Sequence, residues 1–242
     1  MQLSTTQTYF LTGTDTDVGK TVIGCGLLTA WAQQGLSTIG HKPISAGCES
    51  HTDSAGNVSL YNSDALALQS AATLDVPYAE VNPIAYREAI APHIAADLTH
   101  TQIDLSMLDY NLQTLQQYAA DVLLVEGAGG WALPINSQQT LDTWVLAHKM
   151  PVIMVVAMRL GCLNHALLTA RQIVQNGGQL VGWVANAFCD QPFESENIAT
   201  LQTMLDAPCL GVVPKLTSTT VPEQAAEVAA CLDISVLSPA PK

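Results

Sequence analysis

The sequence predicts a doubly wound α/β fold, a mainly parallel sheet with helices on both faces, and three observations carry that prediction. Six short apolar, β-rich runs recur along the chain, at residues 9–12, 38–41, 122–125, 152–157, 180–185 and 209–213. Most of them are separated by helical patterns, an alternation that builds a parallel sheet rather than a meander. No Pro/Gly/Ser-rich break divides the 242 residues, so 1–242 reads as one domain whose last residues, 237–242, form a frayed tail.

Taken in order, the first strand, 9–12, leads through a glycine-containing loop into a helical run over 22–32. The second, 38–41, opens a segment rich in Ser and Gly that lasts to residue 60, too long for an ordinary connection and read as a functional loop. Ser63 reads as the N-cap of a helix through 65–68. Leu105, Leu108, Leu112, Leu115 and Ala119 keep one helical face, and 163–174 supplies another apolar helix stopped by Asn176, Gly177 and Gly178.

Composition narrows the function. Hydrophobic residues make up 48 % and charged residues 12 %, values of an ordinary globular chain. Eight Lys and Arg against 21 Asp and Glu leave a net charge of -13, too few cations to neutralise many backbone phosphates. Nucleic acid and anionic membrane surfaces are thereby excluded as partners. The six cysteines show no CxxC and no ligand-like cluster, and the N-terminus has neither a basic nor an apolar signal region. Both point to packing thiols in a cytoplasmic protein. The six histidines show no HxH or HExxH spacing, and no GxSxG elbow is present, which removes a zinc centre and a serine hydrolase.

In open parallel sheets ligands collect beyond the carboxyl ends of the strands, so those positions carry the chemistry. After the first strand comes 13–21, GTDTDVGKT, then a helix, the setting of a phosphate-binding loop. Backbone N–H groups near Gly19 suit phosphate oxygens, Lys20 suits the β/γ-phosphates, and the Thr21 hydroxyl suits Mg²⁺. The usual pattern places glycine at position 14, where this chain has Thr14; with Gly13 instead, the loop is one residue longer. A plain glycine turn into a helix is the alternative reading.

The run 122–125 ends at Glu126, followed by Gly127, Ala128, Gly129 and Gly130. A carboxylate at that edge suits a metal, and the glycines let amides turn toward an anion; a solvated strand cap is the alternative. Asp64 in the first turn of its helix fits the helix dipole as well as it fits a metal, and local physics does not separate the two. Lys42 closes the second strand, and a rare cation at a strand's carboxyl end reads as an anion contact.

Together these residues resemble a family. The segments 13–21, 41–48 (HKPISAGC), 62–68 (NSDALAL), 81–83 (VNP), 91–96 (APHIAA), 125–131 (VEGAGGW), 160–169 (LGCLNHALLT) and 182–186 (GWVAN) are similar, in order, to those of dethiobiotin synthetases. The resemblance implies a phosphate-loop NTPase type of fold, a homodimer, and ATP- and Mg²⁺-dependent closure of 7,8-diaminopelargonate with CO₂ into the cyclic urea dethiobiotin. By resemblance Lys20 and Lys42 are catalytic, and Thr21, Asp64 and Glu126 are the Mg²⁺ ligands. Gly13, Asp17, Val18, Gly19, Lys20, Thr21, Val22, Gly127, Ala128 and Gly129 surround the nucleotide. Asn186 reads adenine beside Val213, Pro214 and Lys215, and Thr16, Lys42, Ser45, Ala46 and Asn164 take the substrate. Some family members carry a substrate-contacting Ser where this chain has Ala46, with Ser45 beside it; Asp17 stands where Glu is common. The apolar helix beginning near Gly161 offers N–H groups for a carboxylate at its N-terminus, with Asn164 as a simple helix cap the alternative reading, and the resemblance puts the substrate's tail there across the dimer interface.

Two rival readings share the sheet. Partition and septum-positioning ATPases usually carry an extra lysine early in the phosphate loop, and Thr14, Asp15 and Thr16 offer none. Another ATP-dependent amide- or lactam-forming enzyme is the second.

Overall fold

The computed structural model describes residues 6–52, 56–188 and 192–237. The chain runs β1 (Gln7–Gly13), α1 (Lys20–Gln33), β2 (Thr38–His41), β3 (Ile44–Ser45), β4 (Glu49–Thr52), β5 (Val58–Tyr61), α2 (Ser63–Ala71), α3 (Tyr78–Val81), β6 (Ile84–Ala85), α4 (Pro92–Leu98) and α5 (Leu105–Gln116). It continues through β7 (Val122–Glu126), α6 (Leu141–Ala147), β8 (Val152–Ala157), α7 (Cys162–Gln175), β9 (Leu180–Ala187), α8 (Glu194–Met204), β10 (Cys209–Pro214) and α9 (Val221–Ala230). A six-stranded parallel sheet in the order β10-β9-β8-β1-β7-β2 holds the six apolar runs.

The runs read as continuously apolar because both faces of the sheet are covered. Val122 and Leu124 of β7 pack with Leu11, Ile23 and Leu27 under α1 and α9, whereas Leu123 and Val125 point the other way, toward Leu108 and Leu112 of α5. Met154 and Val156 of β8 join Trp183 beneath α7 and α8. Alternation along each strand thus feeds both faces. At Gly26 an added Cβ would come within 2.1 Å of Val228, so the close approach of α1 to α9 requires glycine there.

Four details differ from expectation. The segment expected as one long loop contains β3 and an exposed antiparallel hairpin of β4 and β5. The cap of α2 is Asn62, whose side chain accepts from the Ala65 N–H, so Ser63 is already helical. α5 ends at Gln116, and Ala119 leaves it with φ +52°. Leu237, expected in the frayed tail, is buried, its carbonyl accepting from the Tyr9 hydroxyl; 238–242 lie outside the described residues. Five cysteines are free, Cys25, Cys48 and Cys162 of them buried, while Cys189 lies outside the described residues.

Candidate active site

Parallel register assembles the site. His41 of β2 pairs with Val125 of β7, so the next residues, Lys42 and Glu126, leave the sheet side by side. Leu11 of β1 pairs with Glu126 on its other side, which brings the loop after Gly13 over the same edge. Beyond these strand ends lies a cavity of about 850 Å³. Thr16, Asp17, Gly19, Lys20, Thr21, Val22, Lys42, Ser45, Ala46, Asp64, Glu126, Ala128 and Gly129 all line it.

Glu126 is fully buried, and its Oε1 accepts from Lys42 Nζ at 2.5 Å and from Thr21 Oγ1 at 2.9 Å. Lys42 Nζ also reaches Asp64 Oδ2 at 3.2 Å and the Gly127 carbonyl at 3.4 Å. Burial works to lower the Lys42 pKa, but the Glu126 and Asp64 carboxylates prevail and hold it above the ordinary lysine value. Lys20 differs. Its Nζ donates to the Asp15 carbonyl at 3.1 Å, and its pKa is lowered, first by burial and then by the like charge of Lys42. The ion pairs among the described residues do not include it, and it lines the cavity without a carboxylate at salt-bridge distance.

The loop is shaped by backbone that side chains resist: Asp17 has φ +55° and Gly19 φ +87°. A Cβ at Gly19 would also fall 2.1 Å from Asn186 Nδ2, which donates to the Val18 carbonyl at 2.9 Å. Asn186 therefore buttresses the phosphate loop from the end of β9. Gly13, Val18 and Gly127 sit beneath the cavity rather than on it, and an added Cβ at Gly13 would meet Val18 at 2.5 Å. Val213 pairs with Asn186, but its side chain is fully buried in the core, leaving only its backbone for a ligand; Pro214 and Lys215 are exposed. Asn164 does not line the cavity. It is exposed in the first turn of α7, whose cap is Gly161 at φ +94°, and it makes no capping bond.

A divalent ion fits Thr21, Asp64 and Glu126. Glu126 Oε2 is buried without a hydrogen-bond partner, Asp64 faces the same cavity, and hard oxygen donors of this number suit Mg²⁺, which keeps several waters. The Ser45 hydroxyl, in contrast, turns inward to Asn82 Oδ1 at 2.8 Å.

Residues not singled out from sequence also hold the site. Arg159 Nη2 grips Asp15 Oδ2 at 2.7 Å from the outside of the loop. Arg159, like Lys42, is a scarce cation just past a strand's carboxyl end, a signal present in the sequence. His41 is fully buried beside Lys42, with Nδ1 at 2.9 Å from the Val81 carbonyl, and burial lowers its pKa from 6.5 to about 4. Folding therefore favours the neutral ring by about 3 kcal/mol. Because the folded value is depressed, that stability is present above pH 6.5 and is lost as pH falls through 4. An NMR titration should find the His41 ring midpoint near 4; a midpoint at its ordinary value contradicts the burial account.

Among the described residues no helix is long and apolar enough to cross a membrane. The family model of the AAA domain matches residues 7–223. The solved MinC:MinD cell division protein complex of Aquifex aeolicus aligns with a TM-score of 0.56 at 12 % identity, over 92 % of this chain and 86 % of that one. A ParA family ATPase from Chlorobium tepidum aligns at 0.54 and 13 % identity, over 94 % and 92 %. At such identities these likenesses show the fold alone. Sequence relatives are much nearer. The ATP-dependent dethiobiotin synthetase of Cellvibrio japonicus is 51 % identical over 210 residues, 86 % of this chain and 89 % of the relative. That of Pseudomonas aeruginosa is 44 % identical over 232 residues, 95 % of this chain and 97 % of the relative. With the fold of a phosphate-loop NTPase, and with this identity sustained along most of its length, the chain belongs to the ATP-dependent dethiobiotin synthetase family.

Proposed function

We propose that the cavity joins 7,8-diaminopelargonate and CO₂ into the cyclic urea dethiobiotin, with ATP converted to ADP and phosphate. The chain is an ATP-dependent ligase, and the observation that carries this reading is the convergence of Lys20, Lys42, Thr21, Asp64 and Glu126 on one cavity. A carbamate carbon resists attack because nitrogen resonance and negative charge both oppose a nucleophile. Phosphorylating the carbamate oxygen gives it a leaving group, and the second amine then closes the ring as phosphate departs. Such a transfer asks the protein for positioning and charge neutralisation.

Lys20, which makes no ion pair, turns to the phosphates of the nucleotide. Lys42, held by Glu126 and Asp64, presents its charge to the carbamate and the transferred group. Bound at Thr21, Asp64 and Glu126, Mg²⁺ supplies further neutralisation of phosphate oxygens. The buttress of Asn186 under Gly19 supports its place between base and phosphate loop, with the backbone at Val213 and Pro214 beside it.

The protein works as a homodimer in this reading. Leu160 is 97 % exposed immediately before Gly161, and Asn164 lies outside the cavity, which supports a role for the α7 N-terminus toward a partner copy's substrate tail. Free, separated cysteines support a cytoplasmic setting. The test is coupling: ATP hydrolysis should depend on the diamine and bicarbonate together. Hydrolysis indifferent to the diamine would contradict ring closure coupled to ATP at this cavity.

A further inference from the structure

The segment from α3 into β6 grips Lys42 from both sides. The Lys42 N–H donates to the Val81 carbonyl at 2.8 Å, and the Lys42 carbonyl accepts from Asn82 Nδ2 at 2.6 Å. Asn82 is 4 % exposed, and its amide has partners at every position: Nδ2 also reaches the Ile84 carbonyl at 3.4 Å. Its Oδ1 accepts from the Ser45 hydroxyl at 2.8 Å and the Tyr78 hydroxyl at 3.1 Å. Main-chain carbonyls can only accept, so the NH₂ must face Lys42 and Ile84 and the oxygen must face the two hydroxyls. Tyr78 carries the network onward, its hydroxyl accepting from the Asn62 N–H at 2.7 Å. Asn62 caps α2, and two residues later Asp64 pairs with Lys42 Nζ. One buried amide thus links the main chain at Lys42 to the start of the helix bearing its counter-ion.

We propose that Asn82 is a positioning residue for ring closure, holding the Lys42 main chain directly and the Asp64 helix through Tyr78 and Asn62. The proposal rests on the function assigned above. The amide touches none of the reacting groups. It acts by fixing where β2 ends and therefore where the Lys42 ammonium stands, and a displacement of about 1 Å at such a cation costs on the order of a hundredfold in rate.

The experiment compares wild type, Asn82→Ala and Tyr78→Phe, with folding checked by circular dichroism, kcat measured for dethiobiotin formation, and the Kd of metal-free ADP measured by calorimetry without the diamine. Asn82→Ala should lower kcat by about ten- to a hundredfold, while the Kd of metal-free ADP stays within about threefold because the 13–21 loop is outside the network. Added to Lys42→Arg, Asn82→Ala should cost under about threefold more, since residues acting as a unit are not additive. If Asn82→Ala does not fold, Tyr78→Phe keeps the ring and loses only the hydroxyl, and should still lower kcat severalfold with Kd unchanged. Unchanged kcat in the folded variants, or losses that multiply in the Lys42→Arg background, overturns the proposal. A wild type that makes no cyclic urea overturns the functional reading and this one with it; an active wild type with indifferent variants overturns this one alone.

Discussion

Lys42→Gln should stop ring closure and destabilise the protein, whereas Lys20→Gln should stop ring closure alone. Each removes a cation that faces developing negative charge, a loss of roughly a hundredfold or more. Their structural duties differ. Lys42 is the partner of Glu126, whose side chain is 0 % exposed, and removing one member of a buried pair costs about 3–5 kcal/mol by leaving the other charge uncompensated. Lys20 gives up a hydrogen bond to the Asp15 carbonyl while being relieved of burial and of repulsion from Lys42, so its net change should stay within about 1 kcal/mol. From sequence alone both lysines read as site cations separable from the fold; the Glu126 contact changes that expectation for Lys42. Urea denaturation beside a product assay checks it. Glu126→Gln placed on Lys42→Gln should recover most of the lost stability and none of the activity. Equal stability of the two single lysine variants would contradict the buried pair.

Mixing a Lys20→Gln chain with an Asn164→Ala chain should restore activity that neither has alone. If the substrate's carboxylate tail is held by the partner's α7, the mixed dimer has one site with both defects and one with neither. Activity should then approach half of wild type within the heterodimer fraction. The placement of Asn164, exposed in the first turn of α7 and absent from the cavity lining, supports this geometry. No recovery after verified subunit exchange would place Lys20 and Asn164 in the same subunit's site.

What was legible in the sequence follows from burial. The sheet strands are covered on both faces, so their residues are apolar without a break and stand out. The β4 strand buries neither face of Glu49–Thr52, so its residues are polar and carry no alternation to read. The two residues of β3 are too few to show a period. Within the site, Lys20, Thr21, Glu126 and Lys42 were legible as residue types at strand ends. The bond between Lys42 and Glu126 was not, because it depends on the β2–β7 register across 84 positions. The Asn62–Ser63 choice of cap turned on one residue between two good capping types. Asn82, between Val81 and Pro83, offers no local signal of its hydrogen bonds, which arise only when α3 packs against the end of β2.

If this site activates a carbamate by phosphorylating it, the fate of one oxygen reveals the step. With ¹⁸O-labelled bicarbonate, analysed before label exchanges with water, the carbamate oxygen that receives the phosphoryl group should leave with it. One labelled oxygen should appear in the released phosphate for each dethiobiotin formed. Phosphate free of label, alongside normal product, would mean that ATP is cleaved by water and the carbamate is closed some other way.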